Sequence, residues 1–219
     1  MLKQIFYKEF VAGRTKFDFI FLICGLLLQI VVYIITNDTL LSFISGLTGV
    51  FSVVLCSQKK ISQFLFGFAQ LFTFVILAYQ EKFYGKLIEN AFYFVTMIIG
   101  IIYWFKNMNS EIQEVKTKTL TLKQLLFLLC SCIILTIGFG EILTLTNDTQ
   151  PFIDSLTTIP AFIAQILLLL RYKEQWLFWL FVDICCIYLW FIAGNYCMAA
   201  QYIFWTANCF YGYVNWKKQ

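Results

Sequence analysis

The sequence predicts an all-α integral membrane protein with about eight transmembrane helices. Three observations carry this prediction. The 219 residues are 61% hydrophobic and 13% charged, with mean hydropathy +0.79, whereas a soluble domain is roughly 45–50% apolar and about 25% charged. The apolar residues fall into runs close to the ~20 residues that a helix needs to cross a bilayer. Basic residues collect at every second junction between runs, as cytoplasmic loops do.

The runs place spans near 17–36, 39–56, 61–80, 84–105, 120–145, 151–170, 174–193 and 196–216. Most joints between them are short: "TNDT", "SQKK", "YQEKFYG", "RYKEQ" and "AGN". The one long connection, 106–119, is polar and charged and splits the chain into two sets of four spans. The start, "MLKQIFYKEFVAGRTKF", lacks a short apolar core followed by a cleavage site, so no removable signal peptide is expected.

Charge sets the orientation. With the N-terminus in the cytoplasm, the inner side holds Lys3, Lys8, Arg14 and Lys16, then Lys59 and Lys60. Lys106, Lys116, Lys118 and Lys123 follow, then Arg171 and Lys173, and finally Lys217 and Lys218. Of the 16 basic residues, only Lys82 and Lys86 fall on the outer side. The net charge of +4 therefore reports topology. A nucleic-acid footprint would need a soluble basic face, and no nucleic-acid partner is expected.

Absences narrow the chemistry. With no His, a histidine metal site or proton shuttle is excluded. The eight Cys lie mostly in apolar runs without a CxxC and read as small buried hydrophobes. No Walker A loop occurs. No cofactor, no metal and no catalytic residue is expected. The 25 Phe, 12 Tyr and 6 Trp suit both membrane interfaces and ligand stacking.

The two sets of spans resemble each other. "ITNDTLLSFISGLTG" (35–49) recurs as "LTNDTQPFIDSLTTI" (145–159), and "YGKLIENAFYFVTMIIGIIYW" (84–104) as "YCMAAQYIFWTANCFYGYVNW" (196–216). Tyr84, Gly100 and Trp104 match Tyr196, Gly212 and Trp216 at one offset of 112. Two four-span copies insert the same way up. They are expected to form parallel repeats, with any substrate site near the midplane between them.

Polar residues inside the spans locate that site. Trp176, Trp179 and Asp183 follow i, i+3, i+7 and share one helix face. Gln63, Gly67 and Gln70 do so in the matching span. In the last span Gln201, Trp205, Asn208 and Gly212 form a stripe; its partner carries Asn90, Tyr93, Met97 and Gly100, with Glu89 and Thr96 alongside. Asp183 lies about two turns inside the membrane without a Lys or Arg in its own span. Such a carboxylate marks a functional site by default. Trp104 and Trp216 precede Lys residues and read as interfacial belt residues, and Gly100 and Gly212 as close-packing positions. Trp faces stack on flat rings, cationic ones above all. Asp183, Gln70, Asn90, Asn208 and Gln201 offer partners for hydroxyls. The expected ligand is a small planar heterocycle with a sugar or polar tail.

At these residues the chain resembles the Pnu family of bacterial B-vitamin transporters, most of all its nicotinamide riboside branch. The resemblance spans nearly the whole chain. It rests on W-x-x-W-x-x-x-N/D, met by Trp176, Trp179 and Asp183; on "YIFWTANCFYGYVNW"; and on "FGFAQ", where Gln70 stands at a position often Asn in relatives. The resemblance implies facilitated diffusion of nicotinamide riboside without ATP or a coupling ion. It also implies trapping of the entering vitamin by a cytoplasmic kinase, both termini in the cytoplasm of a bacterial inner membrane, and a homotrimer. It implies two three-helix bundles, here 39–105 and 151–216, joined by a linking helix within 106–145, with 17–36 as an extra N-terminal helix. Thiamine and riboflavin are carried by close relatives and stand as the alternative substrates.

Two other classes fit less well. A membrane enzyme would need clustered acids or nucleophiles. Asp38 and Asp148 of the duplicated TNDT read more simply as turn or cap residues. A scaffold would not need four polar–aromatic stripes.

Overall fold

The computed structural model describes residues 7, 9–11, 14–108 and 114–217. Lys3, Lys8 and Lys218, used in the charge argument, lie outside the described residues, as do residues 109–113 of the long connection. The described residues form eight helices: α1 (Lys16–Thr36), α2 (Leu40–Ser57), α3 (Gln63–Gln80), α4 (Tyr84–Lys106), α5 (Leu122–Leu143), α6 (Pro151–Leu169), α7 (Gln175–Ile192) and α8 (Tyr196–Lys217). Each falls where a span was expected, within two residues at either end.

Local chemistry explains the ends. Thr15 and Thr121 close capping boxes with Asp18 and Gln124, and Thr39 caps α2. Pro151 opens α6, where a missing N–H costs nothing. Each short joint contains one left-handed residue that stops the preceding helix: Asn37, Lys59, Lys82, Arg171 and Gly194.

Seven helices, α1 to α7, are long and apolar enough to cross a membrane. The eighth expected span, α8, differs in composition. Gln201, Thr206, Asn208 and Asn215 dilute its apolar content. It packs against α1, α2 and α7, and Gln201 and Asn208 are buried among them.

Helix contacts close a ring in the order α2, α3, α4, α6, α7, α8 and back to α2. Helix α1 lies outside it against α2 and α8, and α5 lies outside against α6. These two outer helices bury little: only Gly25 and Gln29 of α1, and Gly140 and Leu143 of α5, are buried. Their outward side chains, such as Ile34, Phe127 and Ile134, are apolar and exposed, as a lipid-facing surface requires.

Two seams of the ring are stitched at one end by the duplicated acids Asp148 and Asp38, with Asp154 beside Asp148. Asp148 accepts from the Tyr84 N–H at 3.2 Å, and Asp154 from the Gly85 N–H at 2.7 Å. Asp38 accepts from the Cys197 N–H at 2.9 Å. Each acid thus satisfies orphan N–H groups at the start of a distant helix.

The opposite end is stitched by two tryptophans. The Trp104 indole donates to the Leu168 carbonyl, and the Trp216 indole to the Cys56 carbonyl, each at 3.2 Å. Both rings are 1% exposed, so they are not the belt residues that their neighbouring lysines suggest. A buried indole N–H needs an acceptor, and a helix-terminal carbonyl has a lone pair to offer.

The long connection crosses this same end. The Val115 N–H donates to the Lys59 carbonyl at 3.2 Å, and the Lys118 N–H to the Arg171 carbonyl at 2.7 Å. Val115 is buried with Trp104, Trp176 and Trp216, while Glu114 pairs with Lys59 at 3.1 Å.

Candidate functional site

The ring encloses a cavity of about 120 Å³. Helix α7 contributes Trp176, Trp179 and Asp183; α3 contributes Gln70; α4 contributes Asn90 and Tyr93; and α8 contributes Trp205 and Asn208. These eight residues, with Gln63, Gly67 and Met97 of the same stripes, line one space. Gln201 does not. It is fully buried one turn away from Trp205, with its amide lying over Gly49 of α2. Tyr202 on the same turn reaches the cavity, whereas the Gln201 side chain points toward α2 instead.

The Trp176 position depends on Gly212. A Cβ there would stand 2.5 Å from the Trp176 ring, well inside any ordinary contact. Trp176 then meets Trp216 edge-on, with centroids 5.7 Å apart and planes at 89°. Trp179 meets Tyr93 at 6.0 Å and 66°, and Trp205 meets Tyr202 at 4.9 Å and 69°. These edge-to-face pairs fix the rings while aromatic surface still lines the cavity.

Polar atoms among the rings lack protein partners. They include Trp176 Nε1, Trp205 Nε1, Asn208 Oδ1 and Asp183 Oδ1. Other parts of the same groups are held: Asn208 Nδ2 donates to the Val53 carbonyl at 3.2 Å, and Asp183 Oδ2 accepts from the Cys209 thiol at 3.3 Å. The free atoms are thus aimed by bonds on their other side. An unsatisfied buried polar atom costs about 1–3 kcal/mol, and a ligand with hydroxyls or an amide would relieve it.

Sequence reasoning passed over several lining groups. Gln165 donates to Thr96 Oγ1 at 3.0 Å, and Ser52, Cys209 and Tyr202 also line the cavity. Gln165 was detectable as a lone amide in an apolar span. Cys209 and Tyr202 carried no such signal. Glu89, noted only in passing, lines the cavity and pairs with Lys86 at 2.7 Å.

Known proteins agree with this architecture. The profile of the family described as nicotinamide mononucleotide transporter matches residues 39–218. The nicotinamide riboside transporter PnuC of Haemophilus influenzae is 36% identical over 96% of this chain and 94% of its own. That of Neisseria mucosa is 32% identical over 96% of this chain and 84% of its own. A crystal structure of the vitamin B3 transporter PnuC superposes with a TM-score of 0.86 at 31% identity, covering 97% of this chain and 95% of that one. A helical ring around an aromatic and polar cavity, matched over nearly its full length, belongs to a multi-pass membrane transporter, and this chain is a member of the nicotinamide mononucleotide transporter family.

Proposed function

We propose that this protein takes up nicotinamide riboside across a bacterial cytoplasmic membrane by facilitated diffusion. The observation that supports this most is the cavity itself. Trp176, Trp179, Tyr93 and Trp205 offer ring faces, while Asp183, Asn208 and the two indole N–H groups offer free polar atoms. A flat ring joined to a sugar needs both kinds of surface. The substrate named for the relatives of Haemophilus influenzae and Neisseria mucosa has that chemistry.

In this reading Trp176, Trp179, Asp183, Gln70, Asn90, Tyr93, Trp205 and Asn208 contact the vitamin, and Gln201 supports the α8 stripe from outside the cavity. Residues 39–105 and 151–216 act as the two repeats, with 106–145 linking them and 17–36 as an added helix. Both termini face the cytoplasm, the protein assembles as a homotrimer, and a cytoplasmic kinase traps the vitamin by phosphorylation.

Equilibrium binding to detergent-purified protein tests the substrate. Nicotinamide riboside is expected to bind at micromolar concentration or tighter, and Trp179→Ala to abolish that binding. Preference for thiamine or riboflavin would replace the substrate while keeping the carrier. Binding of none of the three to folded protein would sink the reading.

A further inference from the structure

We infer that Asp183 makes the cavity selective for a permanently cationic ring over a neutral ring of the same shape; this rests on the proposed vitamin-binding role of the cavity. The charge balance of the lining carries the inference. Among the described residues two acids line the cavity, Glu89 and Asp183, and no Lys or Arg does.

Glu89 is already matched. Its Oε2 accepts from Lys86 Nζ at 2.7 Å, and both side chains are buried on the same helix face. The pair presents little net charge to a ligand. Asp183 is in the opposite position. Among the described residues no ion pair reaches it. Its Oδ2 accepts only from the Cys209 thiol, a weak donor, and Oδ1 has no protein partner.

A carboxylate 2% exposed and without a counter-ion carries a large desolvation cost. A cationic ring offsets that cost, and a neutral ring of equal size does not. The aromatic faces of Trp176 and Trp179 act in the same direction, because a ring quadrupole attracts a cation. The aromatic walls thus read shape and add to the attraction for charge, while Asp183 supplies the full opposite charge.

The test compares nicotinamide riboside, whose pyridinium is a fixed cation, with its 1,4-dihydro form, which is neutral and keeps the same sugar. Both are titrated into the purified full chain. The unmodified protein is expected to prefer the cation by about tenfold or more, because only the cation gains charge–charge attraction to Asp183 and cation–π attraction to the tryptophans. Asp183→Asn keeps the shape and is expected to lower the ratio by about threefold or more, leaving only the part that the aromatic faces supply.

Equal binding of the two forms by the unmodified protein would overturn the inference whether or not any variant folds. An unchanged preference in folded Asp183→Asn would do the same. Binding of neither form to the unmodified protein would instead remove the vitamin-binding role beneath it.

Discussion

Trp176 stands where it does because residue 212 has no side chain. The ring fills the space that a Cβ would claim at 2.5 Å, and its other edge is held by Trp216. A methyl at 212 forces either the indole or α8 to move. Overpacking of this kind costs about 1–3 kcal/mol. Gly212→Ala is therefore expected to lower the unfolding temperature of the purified protein and to weaken nicotinamide riboside binding. A variant with unchanged stability and affinity would show that Trp176 tolerates displacement. The same scale holds the charges. Lys86 and Glu89 match each other inside the membrane region, while Asp183 holds one oxygen through Cys209 and offers the other to the cavity.

At the scale of helices, ends matter more than middles. The seam between α4 and α6 is tied by Asp148 and Asp154 at one end and by the Trp104 indole at the other. The seam between α8 and α2 is tied by Asp38 and by the Trp216 indole. An N–H at a helix start has no partner within its own helix, so a carboxylate from another helix both caps and joins. Loss of a cap typically costs about 0.5–2 kcal/mol. Asp148→Ala and Asp38→Ala are each expected to destabilise by that amount, read as a fall in the thermal midpoint in detergent. Because the two caps touch different helices, the double variant is expected to show the sum.

For the whole molecule, the six-helix ring supplies the enclosure, and the two outer helices give it an apolar coat. The distribution of Lys and Arg predicts how that ring sits in the membrane. A cysteine placed at Lys82 in intact cells is expected to react with a membrane-impermeant maleimide, and one at Lys123 to react only after lysis, each in a background whose exposed native cysteines Cys24 and Cys130 are replaced. The reverse pattern would invert the topology.

Much of this protein was determined by the sequence by itself. Length and spacing of apolar runs set all eight helices, because a helix spanning lipid must satisfy its own backbone and so needs a fixed count of residues. Polar residues in those runs named eight of the cavity's lining groups, because a polar side chain in lipid is costly unless it faces the interior. The tertiary structure alone decided the rest. It turned Gln201 away from the cavity and onto Gly49 of α2, while its neighbour Tyr202 faces the cavity, since a stripe does not say which neighbouring helix each of its side chains meets. It drew Trp104 and Trp216 inward, since a buried carbonyl on another helix is invisible to local pattern. It also left Asp183 with only the Cys209 thiol of another helix, whereas the Lys86 partner of Glu89 stands three residues before it on the same helix and is legible in the sequence. Whether Asp183 meets a cation depends on which side chains meet across space, and the order of residues along the chain does not contain that.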